Sequence, residues 1–357
     1  MRKLFNIIAC FLLIVACSKS PKNSEIKEYP YMSSKKASLE GQTKVRFVQE
    51  LSIGTDDFNN ENFYFSLISD FKVDKKNRIY VLDGKSFNIK IFSPDGEFIS
   101  SFELKKGQGP GEFSKPKCLA VDNDSNIYIG DMDLMKISIF DFDGKLIKTF
   151  KTEERPAQLA LDNEKNIYLT GFFDYSKKRI HKYNIQSMKK VSSFSSSNKM
   201  TKEVALFGEA DNIFVDEENK IYFSSFFPYE IRVFSPKQKL INRFSRQAKL
   251  FSKKLNRDQV TGALNFVIGS SQILVLNDGK VINILKSRDI AKKKGYFDFD
   301  IFDSNGKWLL TFPSTEIGLN WVRLAAVDRE GYLYVDSSDP FPQIKKFSMK
   351  FEDLNEY

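Results

Sequence analysis

The chain has 357 residues, of which 41% are apolar and 34 are Phe. That is enough for two average domains or one large all-β domain, and too apolar for wholesale disorder. Lys and Arg total 55 against 46 Asp and Glu, a net charge of +9, and His181 is the single histidine. One histidine excludes a His-rich zinc site, and any Ser-His-Asp triad would have to use His181 itself.

The first elements are an address. Arg2 and Lys3 are followed by an apolar run, Leu4 to Ala16, which is too short to span a bilayer comfortably and ends in Ile14-Val15-Ala16-Cys17. Residues 1–16 resemble a bacterial lipoprotein signal peptide, in which cleavage precedes the cysteine and its sulfur carries lipid. An ordinary secretory signal that contains a cysteine is the alternative. The resemblance implies a cell-envelope protein attached to a membrane through Cys17, on the outer membrane or a periplasmic or extracellular face. Processing would leave a charge of +7 and two cysteines, Cys17 and Cys118. A lipidated Cys17 leaves no disulfide and no thiolate zinc site. Cys118 lies in an apolar strand and reads as an inert core residue. Residues 17–43 are polar and aperiodic, as expected of a lipid-anchored flexible tether. No later run of eighteen apolar residues follows.

A repeat organises the remainder. Val73-Asp74 is followed by Ile79-Tyr80, and the phrase recurs as Val121-Asp122 with Ile127-Tyr128 and Leu161-Asp162 with Ile167-Tyr168. It returns as Val215-Asp216 with Ile221-Tyr222, and as Val327-Asp328 with Leu333-Tyr334. The last interval is doubled, which predicts a degenerate copy near residue 270, with Phe266 to Gly269 and Ile273 to Leu276 as its strands. Each copy adds an alternating strand, a turn such as Pro94-Asp95-Gly96, Phe142-Asp143-Gly144 or Asn305-Gly306, and a fourth strand. Asp-Gly and Asn-Gly supply the positive φ that tight hairpins need. Four antiparallel strands per 40–56-residue repeat predict an all-β, six-bladed β-propeller.

Gly107-Gln108-Gly109-Pro110-Gly111-Glu112-Phe113, then Pro116 and Leu119-Ala120-Val121-Asp122, resembles an NHL-type repeat. The chain from about 44 to 350 is similar to six-bladed β-propeller lipoproteins of Bacteroidetes-like bacteria. The propeller is assigned to residues 44–357, with blades at about 68–103, 116–150, 156–195, 210–245, 262–312 and 321–348. Blade six lacks a fourth strand. The alternating residues 44–51 are expected to supply it and to close the ring, removing an exposed edge.

The Asp of each Val-Asp phrase is expected to form a turn by capping nearby backbone amides. The opposite face, where such folds usually bind, carries more individual loops. A candidate ligand site comprises Phe172, Phe173, Tyr175, Lys177 and Arg179 in blade three, Phe226, Phe227 and Tyr229 in blade four, and Phe341 in blade six. Exposed rings stack on flat ligands, and lysine- and arginine-rich junctions attract anionic partners. Rings packing loop against loop, and cations serving solubility, are the competing readings. No cofactor is expected, with calcium as the one candidate ion; Asp83, Asp131 and Asp336, ending second strands, would approach a channel mouth. His181, in an alternating strand, reads as a strand surface residue. The expected function is therefore a monomeric, membrane-anchored binding module for a glycan, peptide or protein, not for nucleic acid. A calcium-dependent, lactonase-like hydrolase is the alternative, and a structural envelope component the third reading.

Overall fold

Ile79-Tyr80-Val81-Leu82 is apolar on both strand faces, which suits a strand sandwiched between two neighbouring sheets. In the computed structural model Ile79–Asp83 is buried throughout, and Ile127–Asp131, Ile221–Ser225 and Leu333–Ser337 repeat the pattern. The structure describes residues 32–33, 43–172, 178–196, 210–225, 229–246, 256–257, 264–289 and 294–353. They form six antiparallel sheets, arranged as the blades of a six-bladed propeller, and one two-stranded parallel pair, Lys105–Lys106 with Glu112–Phe113, in the linker after blade one. Blade one is Ile68–Val73, Ile79–Asp83, Asn88–Phe92 and Phe98–Glu103, from innermost to outermost strand. Blades two to four follow the same order from Pro116, Arg155 and Asn212. The turns joining first to second and third to fourth strands share one end of the ring, here the turn end. Blade-to-blade linkers and second-to-third turns occupy the linker end.

Blade five departs from the expected strand breaks. Leu264–Val275 is one long inner strand, paired with Val281–Asp289, and the third strand is Lys294–Phe302. Its turn survives without the aspartate because Gly279 N–H donates to Leu276 O at 2.8 Å with Gly279 at φ 81.

The ring closes as expected. Thr43–Ile53 pairs antiparallel with Gln343–Asp353 from Thr43 opposite Asp353 to Ile53 opposite Ile344, becoming the fourth strand of blade six. The core lies between blades, for example Phe47, Phe299 and Phe312 with Phe347 across the closure. Cys118 is buried there, and burial pushes its thiol pKa up.

The inner strands would expose unpaired backbone to the channel. Side chains of one blade satisfy it on the next. Leu119 N–H donates to Asp70 Oδ2 at 2.8 Å, and Gln272 Nε2 donates to Ala325 O at 3.3 Å. Asn212 Nδ2 donates to Ser270 O at 3.1 Å, and Arg323 reaches Ile68 O at 2.9 Å.

Candidate functional site

At the turn end the channel opens as a cavity of about 850 Å³, lined by the inner strands and by the turns that carry the repeated aspartates. Those aspartates are structural, as their repetition predicts. Asp74, Asp122, Asp162, Asp216 and Asp328 each accept two turn amides on Oδ1. The carboxylate of each also accepts the phenol six residues on, from Tyr80, Tyr128, Tyr168, Tyr222 or Tyr334. The rim is laced by exposed polar pairs across non-adjacent blades: Lys75 with Asn163 at 3.5 Å, and Arg329 with Glu217 at 2.6 Å.

At the linker end, buried polar side chains of the third strands hold the linkers down. Lys90 donates to Glu61 O and to Tyr64 O, the latter at 2.5 Å. Lys136 donates to Gly109 O at 2.6 Å, inside the Gly-rich junction, and Arg232 to Ser196 O at 2.8 Å. His181 has the same role. Instead of lying on the strand surface it is 1% exposed, with Nδ1 at 3.0 Å from Glu154 Oε1 and 2.9 Å from Ser193 Oγ. The reason is its place in the strand, two residues before Tyr183, where Lys90 precedes Phe92 and Arg232 precedes Phe234. Burial opposes the charge on Glu154, but hydrogen bonds from His181, Tyr183 and Lys190 outweigh it and bring its pKa to about 2. Blade five reverses the polarity. Its strand supplies Asp300, fully buried, and Arg246 before the linker lies at 3.5 Å. Burial raises the Asp300 pKa to about 6 although Arg246 and Thr311 pull the other way.

Asp83, Asp131 and Asp336 are buried instead of open at a channel mouth. Asp83 accepts the amides of Ser66, Leu67, Lys85 and Ser86, tying the incoming linker to the next turn. Asp131 does the same with Ser114, Lys115, Asp133 and Leu134, and Asp336 accepts those of Arg323 and Leu324. Carboxylates saturated by amides are poor cation ligands, which removes the basis on which these three pointed to calcium.

Of the ring-and-cation set predicted at this end, Phe173, Tyr175, Lys177, Phe226 and Phe227 lie outside the described residues, as does Cys17. Arg179 is buried, with Nε donating to Asp211 Oδ2 at 2.7 Å, because it ties the third strand of blade three to blade four. Tyr229 is buried in the core between blades four and five. Neither stands on the rim. Phe172 and Phe341 are half-buried at the surface. Phe172 lies under Lys117, whose Nζ is 5.8 Å from the ring centre. Phe87 lies at the same end, in the turn between Ile79–Asp83 and Asn88–Phe92. It occupies a left-handed backbone conformation, φ 55, with Lys106 Nζ 4.7 Å over its ring. Trp321, partly exposed and packed on Phe297 at 4.9 Å, was missed because nothing in its local sequence marks a rim.

The chain belongs to the DUF5128 family, described as a 6-bladed beta-propeller, whose model matches residues 58–256. No curated protein matches its sequence. Among solved structures it is similar to a DUF4221 family member from Bacteroides vulgatus ATCC 8482, with a TM-score of 0.60 at 11% identity over 87% of this chain and 99% of that one. A protein of Bacteroides fragilis NCTC 9343 assigned as exported gives 0.58 at 14% identity, over 87% and 96%. Virginiamycin B lyase of Staphylococcus aureus gives 0.51 at 10%, over 91% and 96%. At these identities the likeness is one of fold, and folds of this kind host both binding and catalysis.

Proposed function

We propose that this member of the six-bladed family is an exported binding module, anchored to a membrane of the cell envelope through Cys17. Its ligand carries anionic groups beside flat apolar ones, as acidic glycans and Tyr-containing acidic peptides do, and it binds at the linker end. The observation that carries this reading is the pair of lysine-on-ring contacts there, Lys106 over Phe87 and Lys117 over Phe172. Each offers an apolar ring and a cation side by side; both rings are half-buried, with Phe87 packed on the edge of the core between blades one and two. The amide-saturated state of Asp83, Asp131 and Asp336 supports binding over calcium-dependent hydrolysis.

The test is calorimetric titration with acidic oligosaccharides and with Glu-rich, Tyr-containing peptides. Replacing both rings, Phe87→Ala with Phe172→Ala, is expected to weaken the best binder about tenfold, at roughly 0.5–1 kcal/mol per ring contact. Unchanged affinity in a folded double variant would overturn the assignment of the face.

A further inference from the structure

We propose that the outer rim of blades two, three and four at the turn end is a docking surface for an anionic lipid bilayer. Ten large apolar side chains are exposed among the described residues, and six of them fall here: Leu146, Ile147, Met188, Val191, Leu240 and Ile241. Three occupy one structural position. The register of the third and fourth strands slips in each blade, leaving Ile147, Val191 and Ile241 as the extra, bulged residue. A bulge re-aims its side chain away from the ladder. They are 52%, 54% and 52% exposed. Blades one and five place Ile99 and Leu309 at this bulge and blade six places Glu50, but Ile99 is 42% exposed and Leu309 is partly buried against the core. What sets blades two to four apart is exposure above half at three successive bulges, each with a second exposed apolar residue, Leu146, Met188 or Leu240, which together make an apolar surface that folding does not require.

Charge selects the partner. Segments 141–149, 184–191 and 235–243 carry Lys145, Lys148, Lys189, Lys237 and Lys239 against Asp141 and Asp143, a net +3, after Lys190 and Arg243 are set aside as paired with Glu154 and Glu230. The inner turns of the same blades, 122–126, 162–166 and 216–220, carry seven acidic residues against Lys165 and Lys220, a net −5. Apolar side chains ringed by cations fit an interface of anionic headgroups and acyl chains, whereas the acidic centre is repelled by it. The rim thus meets the bilayer edge-on.

The chain enters the ring at the turn end in blade six, across the ring from blade three. Thr43 pairs with Asp353 at the turn end, and Met32–Ser33 lies beside Lys44 and Val45 there. The fifteen-residue span from Cys17 to Met32 reaches at most about 50 Å. An anchored membrane is therefore within reach of this end, a step that rests on the lipid-anchor reading of the proposed function.

Flotation of the non-lipidated chain 18–357, which keeps every described strand, tests the surface apart from the anchor. It is expected to float with phosphatidylcholine vesicles that contain phosphatidylglycerol and not with phosphatidylcholine alone. The charge-neutral triple variant Ile147→Ser, Val191→Ser and Ile241→Ser is expected to lose at least about fivefold in bound fraction, while Ile99→Ser, at the equivalent bulge of blade one, keeps it. No flotation of the parent chain, or equal loss in both variants, would overturn the proposal, including the case in which the rim captures an acidic protein instead. Lipid labelling of the full-length protein reads the anchor separately. Labelling without flotation of 18–357 sinks the surface and keeps the anchor, and flotation without labelling does the reverse.

Discussion

The phenol of Tyr334 donates to Oδ2 of Asp328 at 2.9 Å, and the same bond joins Tyr128 to Asp122 and Tyr168 to Asp162. The aspartate uses its other oxygen on two turn amides, so one carboxylate ties a turn to the second strand. The loss of either member is expected to be unequal. Tyr128→Phe removes one bond and should cost about 1 kcal/mol, whereas Asp122→Ala orphans two amides and a buried phenol and should cost about 2–4 kcal/mol. A double-mutant cycle by urea unfolding checks this. Additive effects would show that the two side chains do not act as a unit.

The Val-Asp and Ile-Tyr phrases were legible as a repeat, and the repeat gave blade number, closure and turn role. Blade five was hard to read because it lacks both members together, with Leu276 in place of the aspartate and Ile282 in place of the tyrosine. The linker pins were not legible. Lys90, Lys136, His181, Arg232 and Asp300 differ in chemistry, and their partners lie far away in sequence, as Gly109 does from Lys136. A single histidine among alternating residues looks like a surface position until the linker that covers it is known. The same limit affected the site. Arg179 and Tyr229 flank aromatic loops in sequence but turn inward, because blade contacts and not neighbouring residues decide their direction.

The pin at Lys136 is expected to be structural in a way a surface lysine is not. Lys136 is fully buried and its ammonium is hydrogen-bonded by Gln108 O and Gly109 O at 3.3 and 2.6 Å. Burial lowers its pKa, though Asp131 opposes this. Lys136→Met should cost about 1–3 kcal/mol and raise amide exchange across 107–113, while Lys145→Met, at an exposed turn, should change stability by less than about 0.5 kcal/mol. Matched exchange rates in the two variants would contradict the pin.

Asp300 gives a pH dependence of stated sign. Its folded pKa is raised to about 6, above the ordinary aspartate value of about 3.9. The folded state therefore holds this proton more tightly than the unfolded one. The stabilisation is complete below about pH 3.9 and is lost as pH rises through about 6. Wild type should lose stability relative to Asp300→Asn across that window, by about 2–3 kcal/mol in total, and run parallel above it. Glu154 acts oppositely. With a folded pKa of about 2 its contribution is present above about pH 4.3 and disappears as pH falls toward 2. Guanidinium melts from pH 3 to 8 check both, and a constant difference between wild type and Asp300→Asn would refute the first.

Closure depends on Thr43–Ile53, which carries Val45, Phe47 and Ile53 into the core. Its deletion leaves Gln343–Asp353 as an open edge and removes these contacts, so the melting temperature should fall by more than about 10 °C or the protein should not fold. Deletion of residues 18–30, outside every described strand, should shift it by less than about 2 °C. Equal melting temperatures would show that the ring closes by other means.

The place where a ligand sits separates the linker end from the turn-end channel. Hydrogen–deuterium exchange of the protein, alone and with the tightest binder from the acidic oligosaccharide and peptide titrations, reads this in one measurement. Protection is expected at 84–87, 104–117 and 170–172, the segments that carry Phe87, Lys106, Lys117 and Phe172. Protection confined to the turn-end channel, at 74–78, 162–166 and 216–220, would contradict it.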